Sequence, residues 1–110
     1  MGYAQNRRHG RVTTDISVWW GSTYECSEQG RVVSLGVGGC FLRTDAAVPA
    51  GAEVFVNLWL PGSGPIPAEV RYRIEGYGLG VEFKPPGTLA AAQLANLVAF
   101  YSQLPAGDKC

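Results

Sequence analysis

One histidine and three cysteines are the whole supply of imidazole and thiol ligands in this 110-residue sequence, and they do not cluster. His9 stands alone near the N-terminus, so no histidine group exists for zinc. Cys26, Cys40 and Cys110 have no C-x-x-C or other metal spacing. A Cys–His pair is formally available, but no cysteine sits in a supporting motif, and His9 reads as a spacer in a basic arm. The carboxylates are scattered over strand faces that read as exposed, and none forms an acid–base pair. The phosphate loop G-x-x-x-x-G-K-[ST] is missing, and "GVGG" has no helix after it, so it is not a dinucleotide fingerprint. Without a catalytic constellation the chain reads as a binding protein rather than an enzyme, with no cofactor and no metal.

An excess of one charge is missing too. Nine basic residues balance nine acidic ones, which argues against a general nucleic-acid surface. No apolar run reaches membrane-spanning length, so no membrane insertion is expected. "MGYAQNRRHG" lacks the apolar stretch of a secretory signal. Asn6 stands where a myristoylation motif begun by Gly2 needs Ser or Thr. The cysteines accordingly read as free thiols in a reducing cytoplasm, with Cys40 a small buried apolar residue.

What the sequence does have is period-2 alternation up to about residue 84. In "RVTTDISVWW", Val12, Thr14, Ile16, Val18 and Trp20 share one face, with Trp19 the exception. A turn at Gly21-Ser22 leads to a short strand around Tyr24, and "SEQG" reads as the next turn. "RVVSL" and "CFLRT" are strands on either side of a glycine cluster. In "AEVFVNLWL", Val54, Val56, Leu58 and Leu60 alternate inward. "IPAEVRYRIE" places Ile66, Ala68, Val70, Tyr72 and Ile74 inward, and "LGVEF" does so with Leu79, Val81 and Phe83. Short strands with Gly/Pro turns at this spacing predict an antiparallel sandwich or barrel. After "PPGT" the period becomes helical, with Leu94, Leu97, Val98 and Tyr101 on one face and Thr88 as N-cap. Such a helix would pack on the barrel or cover one open end. The three tryptophans, Trp19, Trp20 and Trp59, read as packing residues, although each could stack on a base. With no repeat and no linker, 1–110 reads as one domain: an arm 1–11, a barrel 12–84, a helix about 88–103 and a tail 104–110.

Against this neutral background one short stretch is strongly basic. Arg7, Arg8 and Arg11 all precede the first acidic residue, Asp15. Arginine offers a planar fork of donors that grips phosphate oxygens in pairs, stacks on flat bases and bonds to the O6/N7 edge of guanine. Arg7 and Arg11, four apart, could hold two ends of one small anionic guanine nucleotide. The same arm could equally be solvated or contact a protein. In "RVVSLGVGGCFLRT" the glycines permit a tight bend at a barrel corner and close approach of a ligand to backbone, and the two are compatible. Ser34 and Gly36 fall on one strand face.

These segments together resemble a PilZ domain, the bacterial receptor module for cyclic di-GMP. The family pattern is an RxxxR arm before the first strand and a [D/N]xSxxG motif on a later strand pair. Arg7-Arg8-His9-Gly10-Arg11 matches the first. "GGCFLRT", "AGAEVFVNLWLPG" and "GYGLGVEF" resemble the segments that follow, and the C-terminal helix fits. The resemblance spans about residues 6 to 103 and implies a six-stranded antiparallel β-barrel with a C-terminal helix. It implies a ligand site at Arg7, Arg8, Arg11, Ser34, Gly36 and Gly39. The second motif departs from the pattern and reads S-x-G-x-x-G: Ser34 stands at the Asp/Asn position, Gly36 at the Ser position and Gly39 at the final Gly. In the other register Ser34 is the family Ser and Val32 takes the Asp/Asn position. Two functions follow from the resemblance. One is a receptor whose arginine arm orders over cyclic di-GMP and signals to a protein partner. The other is an interaction module that has lost the ligand and works by protein contact, for example in motility or surface-polysaccharide machinery.

Overall fold

The structure, a computed structural model, describes residues 11–103. Six strands follow in order: β1 (Val12–Gly21), β2 (Glu28–Gly36), β3 (Gly39–Arg43), β4 (Glu53–Asn57), β5 (Ile66–Ile74) and β6 (Gly78–Phe83). One helix, α1 (Thr88–Ser102), comes last. The strands close into a barrel in the order β1-β2-β3-β6-β5-β4, with every neighbouring pair antiparallel. β4 seals it by pairing back to β1, from Trp19↔Asn57 to Gly21↔Phe55. Closure joins the two strands that would otherwise be the edges of the sheet.

The expected alternation builds the interior. Val18, Trp20, Val54, Val56, Val70, Leu79 and Val81 are buried together, and Val32, Leu35, Cys40 and Leu42 fill the β2–β3 side. Trp20 sits among them because its indole N–H donates to the Gln29 carbonyl oxygen (3.3 Å), which meets the ring's polar need inside an apolar core. α1 packs against β1 and β2 and sends Leu94 fully into the core, with Leu97 and Val98 half-buried beside it. No residue of α1 is charged. Among the described residues no helix is long and apolar enough to cross a membrane.

Several expectations are corrected. The segment around Tyr24 is a turn, not a strand: the Cys26 N–H donates to the Thr23 carbonyl (3.1 Å), and Cys26 adopts a left-handed φ of 51°. "SEQG" is not a turn, because Glu28, Gln29 and Gly30 pair with Trp20, Trp19 and Val18. Gln29, paired with the exposed Trp19, faces outward, and Glu28 is exposed at the end of the strand. Tyr72 and Ile74 do not point inward; they are 48% and 49% exposed. The pairing of β5 with β6 slips between Val70 and Tyr72, so Arg71 is an extra residue and the facing reverses beyond it. β4 ends at Asn57, although Leu58 and Leu60 remain buried as expected. Between them Trp59 takes a left-handed φ of 61°, a conformation that costs a non-glycine residue roughly 1–3 kcal/mol. The N-cap of α1 is Gly87 rather than Thr88, and no side chain caps it.

Two further slips shape one corner of the barrel. β1 gains a residue against β2 between Thr13 and Ile16, and β2 gains one against β3 between Val32 and Ser34. Thr14 is buried there, and its hydroxyl donates to the Val32 carbonyl oxygen (2.7 Å). That bond stabilises a stretch where the regular ladder is interrupted.

Candidate functional site

The first strand begins at the rim of this corner. Arg11 immediately precedes β1, and the register Val12↔Leu35 and Thr13↔Ser34 carries it across to the end of β2. Its guanidinium Nη1 donates to Ser34 Oγ (3.2 Å) at the surface. Its aliphatic stem lies over Gly36, where a Cβ would stand 3.3 Å from Arg11 Cδ. Arg11, Ser34 and Gly36 therefore come together, and the last two share a face as expected. Gly39 pairs with Gly36 across the hairpin, but its bare Cα is turned to β6, where a Cβ would collide with the Val81 carbonyl oxygen. It holds the barrel wall tight beneath the site. Arg7 and Arg8 lie outside the described residues.

The neighbours that sequence reasoning missed are aromatic. Following pairs across the wall from Ser34 gives Phe41 on β3, Gly80 on β6 and Tyr72 on β5. Cys40 and Leu42 are fully buried, so Phe41 between them faces outward. Its ring lies 6.3 Å from that of Tyr72 and 5.9 Å from that of Tyr77, centroid to centroid. The strip is possible because β6 is bare underneath. A Cβ on Gly78 would strike the Phe41 ring, and one on Gly80 the Tyr72 ring. The Arg43 guanidinium lies 4.8 Å from the Tyr77 ring centroid. The G-x-G of "GYGLGVEF" was the available signal: glycines at alternate positions of a strand leave room for rings from its neighbours. The bulge at Arg71 hid the rest by moving Tyr72 to the outside.

Electrostatics separates the groups on this wall. Arg31 and Arg43 are register partners, a like-charge pair. Arg31 is answered by Asp15, its Nε donating to Asp15 Oδ1 (2.7 Å), and that bond holds the Asp15 carboxyl below its ordinary range. Arg11 has only the neutral Ser34 hydroxyl as a side-chain hydrogen-bond partner among the described residues. Beneath it, burial pushes the Cys40 thiol up to about 12, against a small opposing pull from the Arg11 charge. Cys40 is thus a protonated core residue, as read from the sequence. Among the described residues no group of His, Cys, Asp and Glu side chains is placed to hold a metal ion.

A chemical prediction follows for Cys40. It is expected to resist iodoacetamide in the folded protein and to react after urea unfolding, followed peptide by peptide by mass spectrometry. The thiol titrates near 9.0 when unfolded and near 12 when folded. Between these values the folded state holds the extra proton, so stability is full below pH 9 and falls as pH rises. The slope contributed is at most about 1.4 kcal/mol per pH unit. Cys40→Ala is expected to flatten that decline in urea melts across the same window.

A guanidinium thus stands beside an aromatic strip on the outer wall of a closed barrel. The chain belongs to the PilZ domain family, whose model matches residues 5–100. The PilZ domain of CeSA from a cellulose-synthesizing bacterium superposes with a TM-score of 0.64 at 18% identity, covering 84% of this chain and 98% of that one. The PilZ domain of YcgR from Escherichia coli, solved with c-di-GMP, superposes with a TM-score of 0.63 at 17% identity, covering 91% and 95%. A comparison with curated proteins gives no match. At these identities the likeness to solved structures concerns the fold.

Proposed function

We propose that this chain is a cyclic di-GMP receptor that binds the nucleotide on the outer wall between Arg11 and the Phe41–Tyr72 strip. The observation that carries the proposal is the Arg11 guanidinium, held at the surface by Ser34 one strand away from an aromatic platform. Cyclic di-GMP presents two phosphates and two guanines. Arg11, with Arg7 and Arg8 from the arm, supplies charge-assisted bonds to phosphate and to the guanine edge. The tyrosine and phenylalanine rings supply flat surface on which a guanine stacks. In this reading the arm closes over the bound nucleotide and the altered surface is what a protein partner reads. Membership of the PilZ family and the likeness in fold to a domain solved with c-di-GMP support it.

A second reading rests on the departures at the S-x-G-x-x-G motif. Ser34 Oγ already accepts from Arg11, and Gly36 has no side chain to offer a base. A ligand-free interaction module would have no use for either.

Calorimetric titration of the full chain with cyclic di-GMP, with GTP as control, separates the two. The receptor reading expects saturable heat with cyclic di-GMP alone. No heat from a chain that circular dichroism shows to be folded assigns it to the interaction class. Tyr72→Ala tests the platform. Losing one base-stacking ring is expected to weaken binding about tenfold. Because Tyr72 is half-exposed and outside the core, the melting transition should stay in place.

A further inference from the structure

On the same barrel, away from Arg11, a second concave surface lies over the middle of the β1–β2 hairpin. We propose that this groove binds a neutral carbohydrate, one sugar ring lying against the indoles of Trp19 and Trp59. The register places Ser17 opposite Arg31 and Trp19 opposite Gln29 in nearby rows of the outer face. Trp59, just beyond β4, folds back across β1 to wall the other side. The groove encloses ≈ 440 Å³, within the usual range of about 300–1,000 Å³ for small-molecule sites.

The walls are fixed before any ligand arrives. The Trp59 backbone N–H donates to Asn57 Oδ1 (2.9 Å), and its indole N–H donates to the Ser17 carbonyl oxygen (3.2 Å). These bonds hold the residue in its left-handed conformation and still leave it 56% exposed. Trp19 is 38% exposed, on a strand whose alternate residues Val18 and Trp20 are buried. Two indoles are thus held at the surface where neither fills the core.

The chemistry of the lining selects the ligand. The Trp59 N–H is already spent within the protein, so that indole offers a ring face and not a donor. A peptide that needs the indole N–H for its backbone carbonyls is poorly served. A cationic ligand, the other usual guest of paired aromatics, meets Arg31. An anion gains little, because Arg31 is bound to Asp15 at 2.7 Å and to Ser17 Oγ at 3.3 Å. What remains is a neutral ring with apolar C–H faces and a hydroxyl edge. The faces suit the indoles, and the edge suits the Gln29 amide, which both donates and accepts, and the outer Arg31 N–H groups.

The test is native gel electrophoresis of the full chain through gels containing hydroxyethylcellulose, xyloglucan, glucomannan or mixed-linkage β-glucan. Retardation by at least one polysaccharide is expected, with competition by its oligosaccharide. Trp59→Ala and Trp19→Ala should each weaken it about tenfold, as loss of an aromatic contact would. Arg11→Ala should leave it unchanged. If Trp59→Ala does not fold, Gln29→Ala and Arg31→Ala, both on the exposed rim, should still reduce retardation. Free migration in all four gels would overturn the proposal. So would retardation that survives Trp59→Ala, or that persists in both rim variants. Binding of a polyproline peptide without retardation in any gel would reassign the groove to a peptide.

Discussion

Arg11→Ala is expected to weaken cyclic di-GMP binding by roughly ten- to a hundredfold, the loss of a charge-assisted bond worth about 1.5–3 kcal/mol. Ser34→Ala should cost about tenfold less, because a neutral hydrogen bond nets only about 0.5–1.5 kcal/mol. The geometry gives the serine an indirect share: it accepts from Arg11 Nη1 and so sets where the guanidinium points. Neither change should unfold the barrel, since the bond between them is exposed and surface substitutions usually stay within about 0.5 kcal/mol. Calorimetry on both variants, with urea melts as a check, decides the matter. The complementary variant is Ser34→Asp with Gly36→Ser. A carboxylate at 34 accepts from both guanine N1–H and the exocyclic amine, and Arg11 Cδ needs to yield only slightly to a Cβ at 36. That double variant is expected to bind more tightly than the parent. Equal affinity in all four proteins would place the nucleotide elsewhere.

The second large effect separates two adjacent glycines. Gly39→Ala is expected to destabilise the barrel by roughly 3–4 kcal/mol, at the upper end of single substitutions. The new Cβ would run into the Val81 carbonyl oxygen, with Glu82 Cα at 3.2 Å, so β3 and β6 must part where they pair. The obstacle is backbone and cannot swing aside. At Gly38 nothing lies within 4 Å of the added carbon, and its φ is not left-handed. Gly38→Ala should therefore be neutral or stabilising by up to about 1 kcal/mol through the unfolded chain's lost freedom. Urea midpoints of the two variants test this directly. Similar midpoints would mean that the β3–β6 wall is looser than its spacing indicates.

Much of this was legible in the residues. Alternation in "RVTTDISVWW" and "LGVEF" identified the inner faces of β1 and β6, because a half-buried strand repeats every two residues. The grouping of Arg11 with Ser34 and Gly36 came from the resemblance to the PilZ pattern, while alternation alone put Ser34 and Gly36 on one face. What stayed hidden shares one cause. A bulge inserts a residue without any mark in composition, so Arg71 silently turned Tyr72 from core to surface. Polar Glu28 and Gln29 looked like a turn because an exposed strand end and a turn draw on similar residues. The Trp59 conformation depends on Asn57 and on a carbonyl of β1, a contact no local pattern announces.

The seal between β4 and β1 bears on how the chain reaches this shape. Every closing contact, β1 with β4 and β3 with β6, joins residues distant in sequence. Loop entropy is lost before those contacts repay it, so folding should be slow for the chain's size, on the scale of milliseconds to seconds typical of nonlocal β topologies. Until β4 docks, β1 presents an open edge carrying Trp19 and Trp20. During that interval an identical chain can pair with it, and refolding yield should fall as protein concentration rises.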